Sequence, residues 1–176
     1  MKSTIALFAM ATTAYAAGLV TGQPLPELKG EFLTGKPAVL PQAAAGRVSL
    51  LLLGFSYDSR FQVEAWSKAF RKEFGTNPKA NFYEVPMIGG MARMGKWFID
   101  SGMRKGTPKA DHENVITVYG GTDPWKQRVD FTDPKGAYLI LLDPSGVVAW
   151  TYSGSFTEAA YQTVSGETRK LLEKAK

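Results

Sequence analysis

The most continuous apolar stretch of the chain is residues 48–55, Val-Ser-Leu-Leu-Leu-Leu-Gly-Phe, which is the pattern of a strand buried on both faces of a sheet. After a short polar turn, apolar residues recur three or four positions apart as far as Phe74, with charged residues between them. This spacing predicts an amphipathic helix that Ser59 or Asp58 is placed to cap. Trp66 lies on its apolar side and is expected in the core. A buried strand followed directly by a helix predicts a βαβ unit.

The rest of the pattern predicts further strands and helices. Strands are expected at 81–85, where Pro86 ends the strand, and at 115–119, 137–142 and 147–152, the last two forming a hairpin. Helical residues are expected at 87–103, around 125–129, and after a capping box at 155–158. The order strand, helix, strand, helix, strand, hairpin, helix predicts an α/β fold of the thioredoxin-like type. Its central mixed sheet has about five strands, with helices on both faces.

The N-terminal part of the chain has a different pattern. Residues 1–16 carry a single charge, Lys2, then an apolar core and an Ala-x-Ala cleavage site. They predict a signal peptide cleaved after Ala16, and hence export to the periplasm; the alternative is an uncleaved anchor. Residues 17–46 are rich in proline and glycine and predict a lead-in segment with a short hairpin. The thioredoxin-like domain is then residues 47–176.

The composition is that of one globular domain, with 176 residues of which 44% are hydrophobic and 21% are charged. The formal net charge is +5, or +4 without the signal peptide, and this mild basicity allows attraction to acidic lipid headgroups or acidic proteins. There is no run of like charge and no basic–aromatic repeat, which argues against nucleic-acid binding. The chain has no cysteine, which excludes disulfides, a thiolate nucleophile and a thiol metal site.

Three segments of the chain resemble a known family. They are residues 50–74, the sequence Val118-Tyr119-Gly120-Gly121, and residues 138–154, where a Leu-x-Asp strand end precedes Gly146 and Trp150. The pattern is similar to that of the mitochondrial ATP synthase assembly factor family, and more broadly to peroxiredoxins and exported thioredoxin-like reductases. The resemblance implies a chaperone without redox chemistry, which helps the proton-channel subunit of ATP synthase to join the complex. The export signal implies a bacterial envelope relative.

Where redox proteins of this type carry sulfur, this chain carries other residues. Exported reductases have Trp-Cys-x-x-Cys after the first central strand, and residues 55–59 here are Phe-Ser-Tyr-Asp-Ser. Peroxiredoxins place a thiolate about where Phe61 and Gln62 stand, and Ala137 occupies the place of the redox proteins' cis-proline. These departures predict a protein that is not an enzyme and that needs no cofactor.

Chemistry without sulfur would need other groups. A serine nucleophile requires a positioned base, and the single histidine is His112, in a polar loop beside Asp111, where we interpret it as solvated. One histidine without cysteine leaves a transition metal short of its usual ligands. Asp123, Asp130 and Asp133 lack the glycine and the terminal glutamate of a calcium loop, so we interpret them as turn and capping residues.

The remaining functional candidates are side chains that could contact another protein. Tyr57, Asp58 and Arg60 flank the turn where the thiols would be, and tyrosine and arginine often anchor interfaces. Trp125, beside Pro124, is a further candidate. In the predicted helix 87–103, the residues Met91, Met94 and Trp97 either form an adaptable binding face or fill the gap between helix and sheet; we favour the second interpretation of the methionines.

These observations leave three hypotheses of different classes. The leading one is a redox-inactive thioredoxin-like protein that binds another protein, as an assembly or chaperone module for a membrane complex such as ATP synthase, with peripheral membrane contact compatible with that role. The second is a periplasmic binder of a small molecule or lipid, with a closed pocket lined by Met91, Met94 and Trp97. The third is an enzyme with chemistry that does not use thiols.

Overall fold

The computed structural model describes residues 18–175, so the predicted signal peptide lies outside the described residues. The strands are β1 (Leu28–Phe32), β2 (Pro37–Leu40), β3 (Val48–Gly54), β4 (Ala80–Ile88), β5 (Ile116–Tyr119), β6 (Ala137–Leu142) and β7 (Val148–Gly154). The α-helices are α1 (Arg60–Phe74), α2 (Lys96–Gly106), α3 (Thr122–Arg128) and α4 (Glu158–Lys174). All seven strands form one sheet in the order β2-β1-β5-β4-β3-β6-β7.

The apolar run of the sequence is β3, at the centre of this sheet. It pairs in parallel with β4 and antiparallel with β6, and all of its residues are buried. Alternate leucines of β3 face two cores: one is shared with α1 and α4 and contains Trp66, and the other contains Trp125 of α3. The predicted α/β architecture, a mixed sheet with helices on both faces, is therefore confirmed, as is the core position of Trp66.

The sheet has two more strands than the five expected. They are β1 and β2, the hairpin predicted within residues 17–46, and β1 joins the sheet by pairing antiparallel with β5. This pairing needs a glycine in β1, because a Cβ at Gly30 would lie only 2.6 Å from a methyl carbon of Ile116. The lead-in segment is thus an integral part of the sheet.

Residues 22–25 lie beside the start of β7, which is an edge strand. The Gly22 N–H donates to the Val148 carbonyl at 2.8 Å, and the Val148 N–H donates to the Gln23 carbonyl at 2.9 Å. The backbone groups of β7 nearest its hairpin turn are therefore paired on both sides.

Two of the predicted boundaries are wrong. Strand β4 continues through Pro86 to Ile88, and the helix expected over 87–103 begins only at Lys96, as α2. Met87 is therefore a buried strand residue. A 3₁₀ segment, Gly90–Gly95, separates the two elements, and Gly90 turns the chain there with a φ of +59°.

The helix starts also differ in detail. Thr157 is the cap of α4, since its hydroxyl oxygen accepts the Ala160 N–H at 3.1 Å, so the capping box assigned to residues 155–158 is wrong by two positions. The helical turn expected around 125–129 is α3, which begins earlier, at Thr122. No helix between residues 18 and 175 combines the length and the apolar composition that crossing a membrane requires.

Candidate functional site

Three parallel strands, β3, β4 and β5, end at the same edge of the sheet. This carboxyl edge is where α/β proteins commonly place their sites. The segments that follow β3 and β4 there contain six of the seven predicted contact residues: Tyr57, Asp58, Arg60, Met91, Met94 and Trp97. We therefore treat the carboxyl edge as the candidate site.

The Ser56 turn, residues 55–59, is closed by a pair of serines. The Ser59 N–H donates to Ser56 Oγ at 3.1 Å, and the Ser56 N–H donates to Ser59 Oγ at 3.2 Å. Each hydroxyl donates in turn to a carbonyl, Ser59 to that of Ser56 at 2.7 Å and Ser56 to that of Pro134 at 2.5 Å. The expected side-chain cap of α1 by Ser59 is wrong, because that hydroxyl is used inside the turn. Both oxygens serve to fix the turn.

Next to the serines, Arg60 packs on two aromatic rings. Its guanidinium carbon lies 3.7 Å from the centroid of Tyr57 and 4.5 Å from that of Phe61. Tyr57 is 74% exposed and Phe61 is 56% exposed, so the three side chains form a cation–π cluster in contact with water. We call this cluster the Arg60 stack. Sequence reasoning missed Phe61 as a contact residue, although its position off the apolar side of α1 was a usable signal.

The histidine of the chain lies too far from these serines to act as their base. His112 precedes β5, and its Nε2 is bonded to the Thr107 carbonyl at 3.0 Å. The Ser56 turn follows β3, which is parallel to β5 through β4, so the two lie at opposite edges of the sheet. Within residues 18–175, no group of three or more His, Cys, Asp or Glu side chains is arranged to hold a metal ion.

Helix α2 turns three of its charged residues toward the sheet. Asp100 is only 3% exposed, and its carboxylate accepts the Tyr119 hydroxyl and Lys96 Nζ, each at 2.6 Å. Lys96 also donates to Glu31 of β1 at 2.9 Å, and Arg104 Nε donates to a backbone carbonyl next to β1 at 2.7 Å. Residues 96, 100 and 104 are four positions apart and so lie on one helix face. Polar bonds therefore hold that face against β1 and β5.

The same contacts fix the protonation of the donors around Asp100. Partial burial opposes the charge of Lys96, but the hydrogen bonds to Asp100 and Glu31 outweigh it and raise the pKa of Lys96. Burial, followed by the hydrogen bond to Asp100, raises the pKa of Tyr119 far above its ordinary value. Both groups keep their protons at neutral pH and remain donors to Asp100.

The opposite side of α2 and the 3₁₀ segment before it are apolar and face solvent. Four side chains there are between 77% and 85% exposed, and we call them the apolar patch: Met91, Met94, Trp97 and Phe98. The favoured interpretation of the methionines, as fillers between helix and sheet, is therefore wrong for Met91 and Met94. Of the methionines in the predicted helix, Met87 is the one buried against the sheet, and it lies in β4.

The prediction that Trp125 is an exposed contact residue is wrong. It lies in α3 and is 4% exposed, packed in the core on the opposite face of the sheet from α1. The guanidinium of Arg128 lies 5.3 Å from its ring. The irregular appearance of residues 122–133 in the sequence concealed a short helix whose one large apolar residue points inward.

Two cavities in the described part of the chain, of about 200 and 610 Å³, open near the amino-terminal ends of β4 and β5. Neither is lined by Met91, Met94 or Trp97. The exposure of these three side chains is also incompatible with a closed pocket around them. The closed pocket that the small-molecule hypothesis expects around these three side chains is therefore not formed.

Comparisons with known proteins agree with this architecture. No family model matches the chain, and no curated protein matches it at a significant level. Among solved structures, a protein described as the thiol:disulfide interchange protein DsbE from Chlorobium tepidum is 15% identical, with a TM-score of 0.59 over 88% of this chain and 99% of that one. The thiol peroxidase of Chromobacterium violaceum is 14% identical, with a TM-score of 0.56 over 89% of this chain and 88% of that one.

A third solved structure is that of BsSco, a member of the Sco family of cytochrome c oxidase assembly proteins. It is 12% identical, with a TM-score of 0.58 over 85% of this chain and 93% of that one. At such identities the similarities show the fold alone. The chain thus has the thioredoxin-like fold of thiol–disulfide oxidoreductases, with no cysteine anywhere in its sequence.

Proposed function

We propose that this protein is a redox-inactive, thioredoxin-like binding protein that contacts a protein partner through the Arg60 stack. The chain supplies no sulfur for thiol–disulfide exchange. The two serines that stand in the place of a Cys-x-x-Cys pair use their hydroxyls to close the turn, and no histidine lies at that edge. Contact is the function that remains for the carboxyl edge.

The observation that carries the proposal is that the side chains of the Arg60 stack pack on one another although Tyr57 and Phe61 are exposed to solvent. A flexible arginine loses rotamer freedom when it binds a partner, and that loss weakens binding. Here Arg60 is already packed at 3.7 Å on Tyr57, so much of that ordering precedes binding. Exposed tyrosine and arginine are also the residue types most enriched among the anchors of protein interfaces. Asp58, exposed in the same turn, adds a hydrogen-bond acceptor.

A narrower form of the proposal is that the partner belongs to a membrane complex during its assembly, and that the protein works after export to the periplasm. Its support is the resemblance of the sequence pattern to the ATP synthase assembly factor family and the signal-peptide pattern of residues 1–16. BsSco, which shares the fold, is itself described as belonging to a family of assembly proteins.

Site-specific photo-crosslinking in the native host tests the proposal. A photoreactive phenylalanine analogue at Tyr57 is expected to give a discrete crosslinked species, and the same analogue at the exposed residue Lys170 of α4 is expected to give none. Arg60→Ala in the Tyr57-labelled protein should reduce the crosslink at least fivefold, because the ring loses its packing partner. Equal, diffuse labelling at both positions would refute the proposed contact.

A further inference from the structure

The apolar patch on α2 lies next to basic residues. Lys105 follows Phe98 by seven residues, which is two helical turns, so both side chains lie on the outer face of α2. Lys105 and Lys109 are exposed, and they take part in none of the ion pairs found within residues 18–175.

Two acids of the same segment are withdrawn from solvent: Asp100 is buried beneath α2, and the side chain of Asp111 is 19% exposed and paired with Arg71. A third acid, Glu113, is exposed, and its carboxylate is paired with Lys36 Nζ at 3.0 Å. Lys96 and Arg104 remain partly exposed, with 40% and 37% of their side-chain surface accessible. The outer surface of α2 and of the loop after it as far as Lys109 is therefore apolar and cationic.

We propose that the apolar patch docks on the surface of an anionic phospholipid bilayer. Tryptophan and phenylalanine on a face bordered by lysine and arginine are typical of segments that lie in the interface of a membrane. Each basic residue near an anionic surface strengthens binding by about fivefold, and this segment exposes two that form no ion pair with the described residues, Lys105 and Lys109. The overall charge of +5 adds to the attraction toward an anionic surface.

The shape of the patch favours lipid over a protein partner. Side chains that are 77–85% exposed stand clear of their own protein, and the rings of Trp97 and Phe98 have each other as near aromatic neighbours, 6.4 Å apart. Protein anchors usually sit in well-packed surroundings and fill a shaped pocket in the partner. A bilayer interface accepts protruding side chains without such a pocket.

The inward polar face of α2 makes docking compatible with the folded state. Asp100 and its donors hold the helix to β1 and β5 without using the apolar patch. Insertion of the patch therefore requires no rearrangement of the core. The inference goes beyond the proposed function, because the Arg60 stack and the apolar patch are separate sets of residues.

Vesicle co-sedimentation of the full chain tests the inference. The protein is expected to bind vesicles of equal parts phosphatidylglycerol and phosphatidylcholine, and to bind pure phosphatidylcholine at least tenfold more weakly. The variant Trp97→Ala/Phe98→Ala should lose at least tenfold in binding to the anionic vesicles. The variant Lys105→Gln/Lys109→Gln should lose a similar factor and a large part of the salt dependence. All four positions are exposed, so thermal unfolding should be unchanged.

The variant Tyr57→Ala/Arg60→Ala is the matched control, and it should bind vesicles like the parent protein. Equal vesicle binding by the parent and the Trp97→Ala/Phe98→Ala variant would overturn the inference. The inference would also be overturned if the parent protein did not bind vesicles but formed a concentration-dependent dimer, or captured a protein partner, through an interaction that the Trp97→Ala/Phe98→Ala variant loses. Loss of the Tyr57 crosslink bears on the proposed function only.

Tryptophan fluorescence gives an independent readout. Trp66 and Trp125 are buried, and Trp150 is half-buried on β7, at the opposite end of the sheet from α2. Lipid docked at α2 therefore reaches these three poorly, whereas Trp97 is 77% exposed. Bromine-labelled anionic lipids are expected to quench the emission of the parent protein. Most of that quenching should vanish in Trp97→Phe, which keeps an aromatic ring and should still co-sediment. Quenching that is unchanged in Trp97→Phe would contradict docking through this patch.

Discussion

The absence of a side chain at Gly54 allows the end of β3 to lie close to the start of α1. A Cβ at this position would lie 2.6 Å from Ser59 Oγ and 3.2 Å from a methyl group of Val63. Gly54 ends β3, and Ser59 is the fully buried residue that closes the Ser56 turn. The close contact between strand and helix start is thus possible because residue 54 has no side chain.

Gly54→Ala should therefore destabilise the protein by about 1–3 kcal/mol, the usual cost of inserting a carbon into a packed site. Chemical denaturation measures this change. Gly102→Ala is the matched control: nothing lies within 4 Å of a Cβ there, and alanine favours a helix, so its stability should be equal or higher. A Gly54→Ala protein as stable as the parent would mean that the turn relaxes freely.

Glu84 is a second residue whose side chain affects stability on its own, and its effect depends on pH. Burial between β4 and α1 raises the pKa of Glu84 above its ordinary value of 4.5, and the nearby charge of Glu64 adds to the rise. Below about pH 4.5 the carboxyl is protonated in both the folded and the unfolded state, so its ionisation does not change the free energy of unfolding. As the pH rises through the folded-state pKa, the unfolded chain is favoured, because it ionises more easily.

Glu84→Gln should consequently raise the melting temperature at pH 7 and have little effect at pH 4. Thermal unfolding of both proteins across this range provides the measurement. Glu113→Gln, an exposed acid near the same region, serves as the control. A constant difference between Glu84→Gln and the parent at all pH values would exclude ionisation as its cause.

At the scale of elements, α2 is inverted relative to an ordinary surface helix. The usual arrangement buries the apolar face and exposes the charged one. In α2 the charged positions 96, 100 and 104 face the sheet, and Trp97 and Phe98 face solvent. The attachment of α2 to the sheet thus depends on hydrogen bonds and ion pairs. Their loss should make local unfolding of α2 easier without destabilising the core.

Asp100→Asn removes the charge that accepts from Lys96 and Tyr119. We expect amide hydrogen exchange in α2 to accelerate about tenfold or more, since hydrogen bonds to charged groups are worth about 1.5–3 kcal/mol. Exchange in β3 should stay unchanged. Asp123→Asn, at an acid with an 85% exposed side chain, is the control and should alter neither element. Uniform acceleration across both elements would show that α2 is not a separate unit.

The inversion of α2 also explains why this region was predicted poorly from the sequence. Sequence patterns identify the elements whose apolar positions face inward, such as β3, α1 and α4. They assign an exposed apolar face to the core, and they assigned the methionines of this segment in that way. The spacing of Met87, Met91 and Met94, four and then three residues apart, extended the predicted helix into a strand end and a 3₁₀ segment.

For the whole molecule, sequence order and the apolar runs were sufficient to predict the thioredoxin-like architecture, because buried strands and amphipathic helices leave few arrangements. The hairpin β1–β2 was recognised as local structure, but its place in the sheet depends on pairing with β5, far away in the chain. Of the seven candidate contact residues, Trp125 was misplaced, because a turn-rich pattern does not reveal which way a single large side chain points.

The fold as a whole places two serines at the positions of a Cys-x-x-Cys pair. The backbone N–H of each serine donates to the hydroxyl of the other, at 3.1 and 3.2 Å, so the turn holds residues 56 and 59 close together. We expect Ser56→Cys/Ser59→Cys to form an intramolecular disulfide in oxidised glutathione, counted by alkylation and mass spectrometry.

The single variant Ser56→Cys provides the control and should form only mixed disulfides. The parent protein should show no disulfide-reductase or peroxidase activity in any redox buffer. Two free thiols in the oxidised double variant would show that the turn does not hold the pair as described.

The strip of chain at residues 22–25 has a protective consequence for the sheet. An uncovered edge strand offers unpaired N–H and carbonyl groups on which a neighbouring molecule can build an extra strand. Residues 22–25 hydrogen-bond to the backbone N–H and carbonyl of Val148, so fewer groups of the β7 edge are free to pair with a strand of another molecule. Trimming the chain back to β1 would therefore promote fibrillar aggregation, in addition to removing Leu25 from the core.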